Sequence, residues 1–309
     1  MRRIILIVFI IVLGLIFAWA LYFPKKDATK FISKTLEEQR SRADLYFKGV
    51  TVSEIVAGVK YWEIKASTSV INKTTGLNTL KGTKGTFFKE GNPVLKFIAP
   101  KAVWDIQKKE IYLTEPIGYD IKSEKGIEEK IKTWRQVSNV FSVFHLPAKY
   151  PIPSKLGYWF ASKNLEWGLA DQKIICKEGL TLTKGDISIV AEKLEADVAL
   201  EKVILTGKPQ AVIEQGEKII ITAERFEIDG KAELVEISEQ VKVTRGDIKT
   251  WSNEAKYLMK DRKIVLTGNP IFQRRGSKLS GEKVIISLKE QKVIIEGKTK
   301  VIVGEEEFK

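Results

Sequence analysis

Two side chains that could form a nucleophilic pair occur once each, Cys176 and His145. A Cys–His pair needs its imidazole held against the thiol, and no catalytic motif surrounds either residue. His145 sits among Phe141, Phe144, Leu146 and Pro147 and reads as a packed loop residue. One cysteine excludes an intramolecular disulfide. One cysteine with one histidine cannot build a zinc site of the Cys/His type, so neither a metal nor another cofactor is expected. Walker-type phosphate loops, G-x-G-x-x-G, H-E-x-x-H and G-x-S-x-G are absent. Carboxylates remain, because a paired acid and base could hydrolyse glycosides. They fall in turns and at outward positions such as Glu192, Glu224 and Glu254, and nothing singles out a pair. The residues with chemistry in them point away from an enzyme.

The charge balance suggests recognition instead. The 309-residue chain carries 52 Lys+Arg against 39 Asp+Glu, a formal net charge of +13. Such a surface suits anionic partners, namely lipid headgroups, phosphorylated glycolipid or nucleic acid, with plain solubility as the bland alternative. Residues 4–23 form a run of 20 without a charge, and a helix of that length rises about 30 Å, enough to cross the hydrocarbon core. Arg2 and Arg3 precede it, Pro24, Lys25 and Lys26 follow it, and Trp19 and Tyr22 lie near its far end, where interfacial aromatics are favoured. Residues 1–23 read as a transmembrane signal anchor with the N-terminus inside. The alternative is a cleaved signal peptide, since Ala18-Trp19-Ala20 has the small-x-small form of a cleavage site; the apolar Leu21-Tyr22-Phe23 beyond it favours the anchor. Lys25, Lys26 and Lys30 balance the two arginines, so charge asymmetry does little to fix the orientation. Either way residues 24–309 are expected outside the cytoplasm, with a net charge of +11 once the two arginines are set aside. Nucleic acid is not an expected partner there.

A polar linker is expected over 24–48. Beyond it, short runs of Ile, Val, Phe, Trp and Tyr alternate with polar residues, which is a strand pattern. The runs repeat about every 30 residues. Small residues at Ala66, Ala99, Ser162, Ala191, Ala223, Ser252 and Gly281 anchor the copies. Two residues before each anchor comes an apolar or β-forming residue, as at Phe97, Phe160, Ile189 and Ile221. Three and five after come Leu165 and Trp167, Phe226 and Ile228, or, at plus five alone, Trp104 and Tyr257. Fourteen after come Leu205, Leu266 and, in one copy, Cys176, which there acts as a small hydrophobe. Sixteen after, the residue is Gly or Glu. Minus two and zero share one parity; plus three and plus five share the other. A flat strand would put them on opposite faces, so the chain must bend just after the anchor to keep all four inside. Each copy supplies a bent strand, a turn and a return strand, and stacked copies form a two-layered meander around one apolar interior. Between anchors 99 and 162 the gap is about two repeats, and the stretch 127–155 is expected to hold one repeat distorted by an insertion. The inward aromatics Phe97, Trp104, Phe160, Trp167, Phe226 and Tyr257 serve either as core packing or as the wall of an acyl-chain groove.

With these patterns in view, the chain resembles the lipopolysaccharide-transport proteins. Residues 49–207 are similar to the membrane-anchored LptC component, through Tyr158-Trp159-Phe160-Ala161-Ser162, Asn164-Leu165-Glu166-Trp167 and Leu205-Thr206-Gly207-Lys208. Residues 208–309 resemble the soluble LptA component, the OstA-like fold, through Ile221-Thr222-Ala223-Glu224 and Ile264-Val265-Leu266-Thr267-Gly268-Asn269-Pro270. The resemblance implies an all-β, twisted open β-jellyroll of antiparallel repeats, preceded by one transmembrane helix, in the inner membrane with the bulk of the chain in the periplasm. It implies that lipopolysaccharide is received from the permeases of an inner-membrane ABC extractor. The lipid would then pass to a periplasmic bridge or outer-membrane assembly protein joined by β-strand edge pairing. The implied lipid-binding interior is Phe97, Trp104, Phe160, Leu165, Trp167, Ile189, Leu205, Ile221, Phe226, Ile228, Tyr257 and Leu266. The competing readings are a membrane-anchored structural or adhesive β-solenoid without ligand, and a carbohydrate-active enzyme on a β scaffold.

Overall fold

The computed structural model describes residues 45–121, 158–214 and 217–303. The apolar run at 4–23, the linker up to residue 44, His145 and the stretch 127–155 lie outside the described residues. Every regular element among those described is a β-strand, and no helix among them is long and apolar enough to cross a membrane. The chain divides into two units. One includes the turn Asn72–Thr75, where Asn72 Oδ1 accepts from the backbone N–H of Thr74 at 3.0 Å and of Thr75 at 2.8 Å. The other, Leu45–Ile71 with Gly76–Lys309, holds all the strands.

The strands are β1 (Leu45–Val56), β2 (Val59–Ile71), β3 (Leu77–Lys89), β4 (Asn92–Asp105), β5 (Glu110–Thr114), β6 (Ile117–Asp120), β7 (Trp159–Gly168) and β8 (Lys173–Lys184). They continue as β9 (Ile187–Ala191), β10 (Lys193–Asp197), β11 (Lys202–Thr206), β12 (Gln210–Ile213), β13 (Ile219–Thr222), β14 (Arg225–Asp229), β15 (Leu234–Arg245) and β16 (Ile248–Leu258). The last are β17 (Lys263–Thr267), β18 (Ile271–Arg274), β19 (Ser277–Ser280), β20 (Lys283–Ser287), β21 (Lys292–Glu296) and β22 (Lys300–Ile302). All pairing is antiparallel and forms two ladders. One runs β1-β2-β3-β4-β5-β7-β8-β10-β11-β14-β15-β16-β17-β20-β21. The other runs β1-β2-β3-β4-β6-β7-β8-β9-β12-β13-β15-β16-β18-β19-β22. The long strands β1–β4, β7, β8, β15 and β16 belong to both ladders and pass from one layer to the other.

The passage happens where the anchors predict it. Ser162 pairs with Leu180 and Asn164 with Lys177, so the register breaks at Lys163. Across from the residue that follows each anchor stands the residue sixteen after that anchor, and in all seven copies its φ is positive: Gly82 +59°, Glu115 +48°, Glu178 +64°, Gly207 +79°, Glu239 +67°, Gly268 +71° and Gly297 +90°. A single left-handed residue turns the strand without ending its pairing. Both parities then point inward. Phe160, Ser162, Leu165 and Trp167 are all buried, as are Ile189, Ala191, Leu194 and Ala196. Side chains of both layers merge into one core, and burying each Ile, Leu or Phe in it contributes roughly 1.5–3 kcal/mol.

One boundary differs from the sequence reading. Leu45–Lys48 belong to β1, so the linker gives way to strand before residue 48. At 207/208 the ladders continue without a break, β11 pairing forward to β14 and β12 back to β9. On either side of the stretch 127–155, β5 and β6 pair directly with β7.

Candidate functional site: the groove between the layers

The two layers meet at the corners and part toward their strand tips. Over the N-terminal half, aromatic side chains fill the space between them. Trp62 meets Trp104 edge-on at 5.1 Å, and Phe87 lies 4.9 Å from Phe97 and 5.5 Å from Trp167. Phe97 pairs with Gly85 and Phe160 with Gly118, and each ring takes the space a Cβ on the glycine would need. This is a packed plug. Its indole N–H groups at Trp62, Trp104 and Trp167 are buried without a hydrogen-bond partner.

Over the C-terminal half the layers leave an apolar groove between them. The second layer contributes Leu182, Ile187, Ile189, Ala211, Ile213 and Ile221. The first contributes Val203, Phe226, Ile228, Val235, Ile237 and Tyr257. Tyr158, Lys184, Leu200, Gly230 and Met259 stand at strand tips around the mouth. The Tyr158 hydroxyl donates to the Val94 carbonyl at 3.2 Å. Burial, then Asp120 and Asp197, push its phenol well above the ordinary range. Burial, then Asp186, likewise raises Tyr257. Both phenols stay neutral at physiological pH, so the wall of the groove bears no ionised side chain except at its rim, where Lys184 stands.

Five of the sequence-predicted residues come together here: Ile189, Ile221, Phe226, Ile228 and Tyr257. The other seven do not line the groove. Phe97, Trp104, Phe160 and Trp167 belong to the plug, and Leu165, Leu205 and Leu266 are packed at full burial near the corners. Residues the pattern missed include Leu182, Ile187, Ile213 and Val235, which continue the inward alternation by two. Leu200 and Met259 sit in turns and carry no periodic signal. Cys176 is packed as expected, and burial lifts its thiol to about 12. Among the described residues no three His, Cys, Asp or Glu side chains converge on a point.

The ladders leave two edges. Among the described residues β1 pairs only with β2, while β21 and β22 pair only with β20 and β19. Leu45, Tyr46 and Phe47 on the first edge and Ile294, Val301 and Ile302 on the last are exposed.

The fold and the groove define a class: open two-layered β-shells whose apolar interior is reached through a lateral mouth. Residues 161–292 match the family model described as LptA/(LptD N-terminal domain) LPS transport protein. That segment is similar to this family's domain, and it supplies every groove-lining residue except Tyr158. Among solved structures, the chain is similar to the crystal structure of LptH, the LptA homologous periplasmic component of the conserved lipopolysaccharide transport device from Pseudomonas aeruginosa. The identity is 15%, the TM-score 0.33, and the match covers 38% of this chain and 94% of that one. No curated protein matches the sequence.

Proposed function

We propose that this chain is a membrane-anchored carrier that moves lipopolysaccharide through the periplasm, holding the acyl chains in the C-terminal groove. The supporting observation is the groove itself, apolar along its walls and open at the strand tips, within a segment that matches a lipopolysaccharide-transport family. Acyl chains are driven into such a groove by burial of roughly 0.8 kcal/mol per methylene, while a charged headgroup stays at the mouth beside Lys184. No covalent step is needed. The anchor at 1–23 would hold the chain in the inner membrane beside the ABC extractor, as LptC-like proteins do. The exposed edges at β1 and at β21–β22 would join the extractor and the next carrier by strand addition.

The test is photo-crosslinking in cells with a photoreactive residue at Phe226 or Ile228, and at outward Glu192 and Glu254 as controls. Lipopolysaccharide adducts are expected at the first pair alone. A folded, exported protein without adducts at Phe226 and Ile228 would refute the reading and favour a ligand-free structural role.

A further inference from the structure

Ion pairs cross between the two layers at their tips, on the N-terminal side of the groove. Lys89 ends β3 in the second layer. Its Nζ lies 2.9 Å from Glu201 Oε2 and 3.3 Å from Asp197 Oδ2, at the tip of β10 and its turn in the first layer. Lys231 Nζ joins Glu201 at 3.0 Å. Nearer the N-terminal end, Lys109 in the turn after β4 places its Nζ 3.6 Å from Glu54 Oε1 at the tip of β1. Behind these pairs lies the aromatic plug; from Leu200, next to Glu201, the groove is open.

Resting on the carrier reading above, we propose that these ion pairs are a gate. They hold the layers shut over the plug, and their release lets acyl chains into the N-terminal interior and joins it to the groove. Lys89, Asp197 and Glu201 are only partly shielded from water, and such pairs are weak, so releasing them costs little. Salt and the field of a passing anionic headgroup act on it directly. The plug is also an imperfect resting state. It leaves the indole N–H groups of Trp62, Trp104 and Trp167 and one Glu54 oxygen without partners, which disfavours the closed form. The ester and amide carbonyls of an acylated sugar are acceptors those indoles lack. Glu201, then Asp197, hold the Lys89 ammonium above its ordinary range, so the lysine of this strap across the layers stays charged at physiological pH.

The test uses the full chain in its own cells, with a photoreactive residue at Trp104 or at Phe226. Lys89→Cys and Glu201→Cys are joined by a short, reducible bis-methanethiosulfonate linker; Cys176 is buried and out of its reach. Before linking, loss of the strap should raise the lipopolysaccharide adduct at Trp104 severalfold over the protein that keeps Lys89 and Glu201. Linking should cut it at least tenfold, and reduction should restore it. Equal Trp104 adducts with and without the link, or none in either form, overturn the gate while Phe226 adducts keep the carrier reading. Absence of adducts at Phe226 in the unlinked protein overturns both.

Discussion

Ile228→Asp separates groove wall from core. Ile228 lies at the end of β14 between Val203 and Val235, half-buried, facing the groove near its mouth. Full burial of an isoleucine contributes roughly 1.5–3 kcal/mol, so losing a half-buried one should lower stability by about 1 kcal/mol. The new carboxylate can turn to water at the mouth, which avoids the larger penalty of a buried charge. A bound acyl chain has no such escape. Keeping three or four methylenes clear of the carboxylate forfeits about 2.5–3 kcal/mol, or about 100-fold in Kd. The matched control is Phe97→Leu in the plug, expected to cost about 1–2 kcal/mol in stability and to leave binding within about twofold. Binding is read by titrating cis-parinaric acid, a fluorescent acyl probe, into the full chain in lipid nanodiscs with empty nanodiscs subtracted; stability is read by urea unfolding. A folded Ile228→Asp protein that binds within twofold of the parent would refute the placement of the groove. So would a Phe97→Leu protein that loses binding as severely.

Three further outcomes follow from the packing. Gly207→Ala places a Cβ at φ +79° and 2.5 Å from the Glu192 Cβ, so strain and crowding should together cost about 2–4 kcal/mol. Adding Glu192→Gly should recover at least 1 kcal/mol of it in a double-mutant cycle, and no recovery would rule out the contact as the cause. Trp167→Ala removes a fully buried ring from the plug and should destabilise by about 3–5 kcal/mol in urea; a change below 1 kcal/mol would show the plug to be loose. Burial holds the Cys176 proton up to about 12 against an ordinary 9.0. Above pH 9 the unfolded chain therefore binds fewer protons than the folded one, and the thiol's contribution to stability falls as pH rises toward 12. Cys176→Ala should remove that part of the alkaline decline, and the native thiol should resist Ellman's reagent at pH 8 until urea unfolds the chain.

Much of this architecture is fixed by local chemistry and so is readable from the residues. Alternation of two parities around a small anchor demands a bend, and the position sixteen residues on supplies it. Gly82, Gly207, Gly268 and Gly297 could be anticipated there because glycine tolerates positive φ. Glu115, Glu178 and Glu239 hold the same conformation against their own preference, because the ladders on either side leave the backbone no alternative. What the sequence could not distinguish is which inward residues touch each other and which face empty space. Phe97 and Phe226 stand two before and three after their anchors, both aromatic and both buried, and nothing local separates them. Phe97 closes over Gly85 in the packed half, whereas Phe226 lines the open half. That difference is set by the distance between two facing layers, a quantity to which residues far apart in the chain contribute jointly. The same holds for Lys89 and Glu201. Each reads as an ordinary surface charge, and only the folding of β3 and β10 onto opposite lips of one groove makes them partners. Periodicity therefore determined the strands, the corners and the apolar interior. The division of that interior into plug and groove belongs to the tertiary structure, because it depends on how two layers fill the space between them.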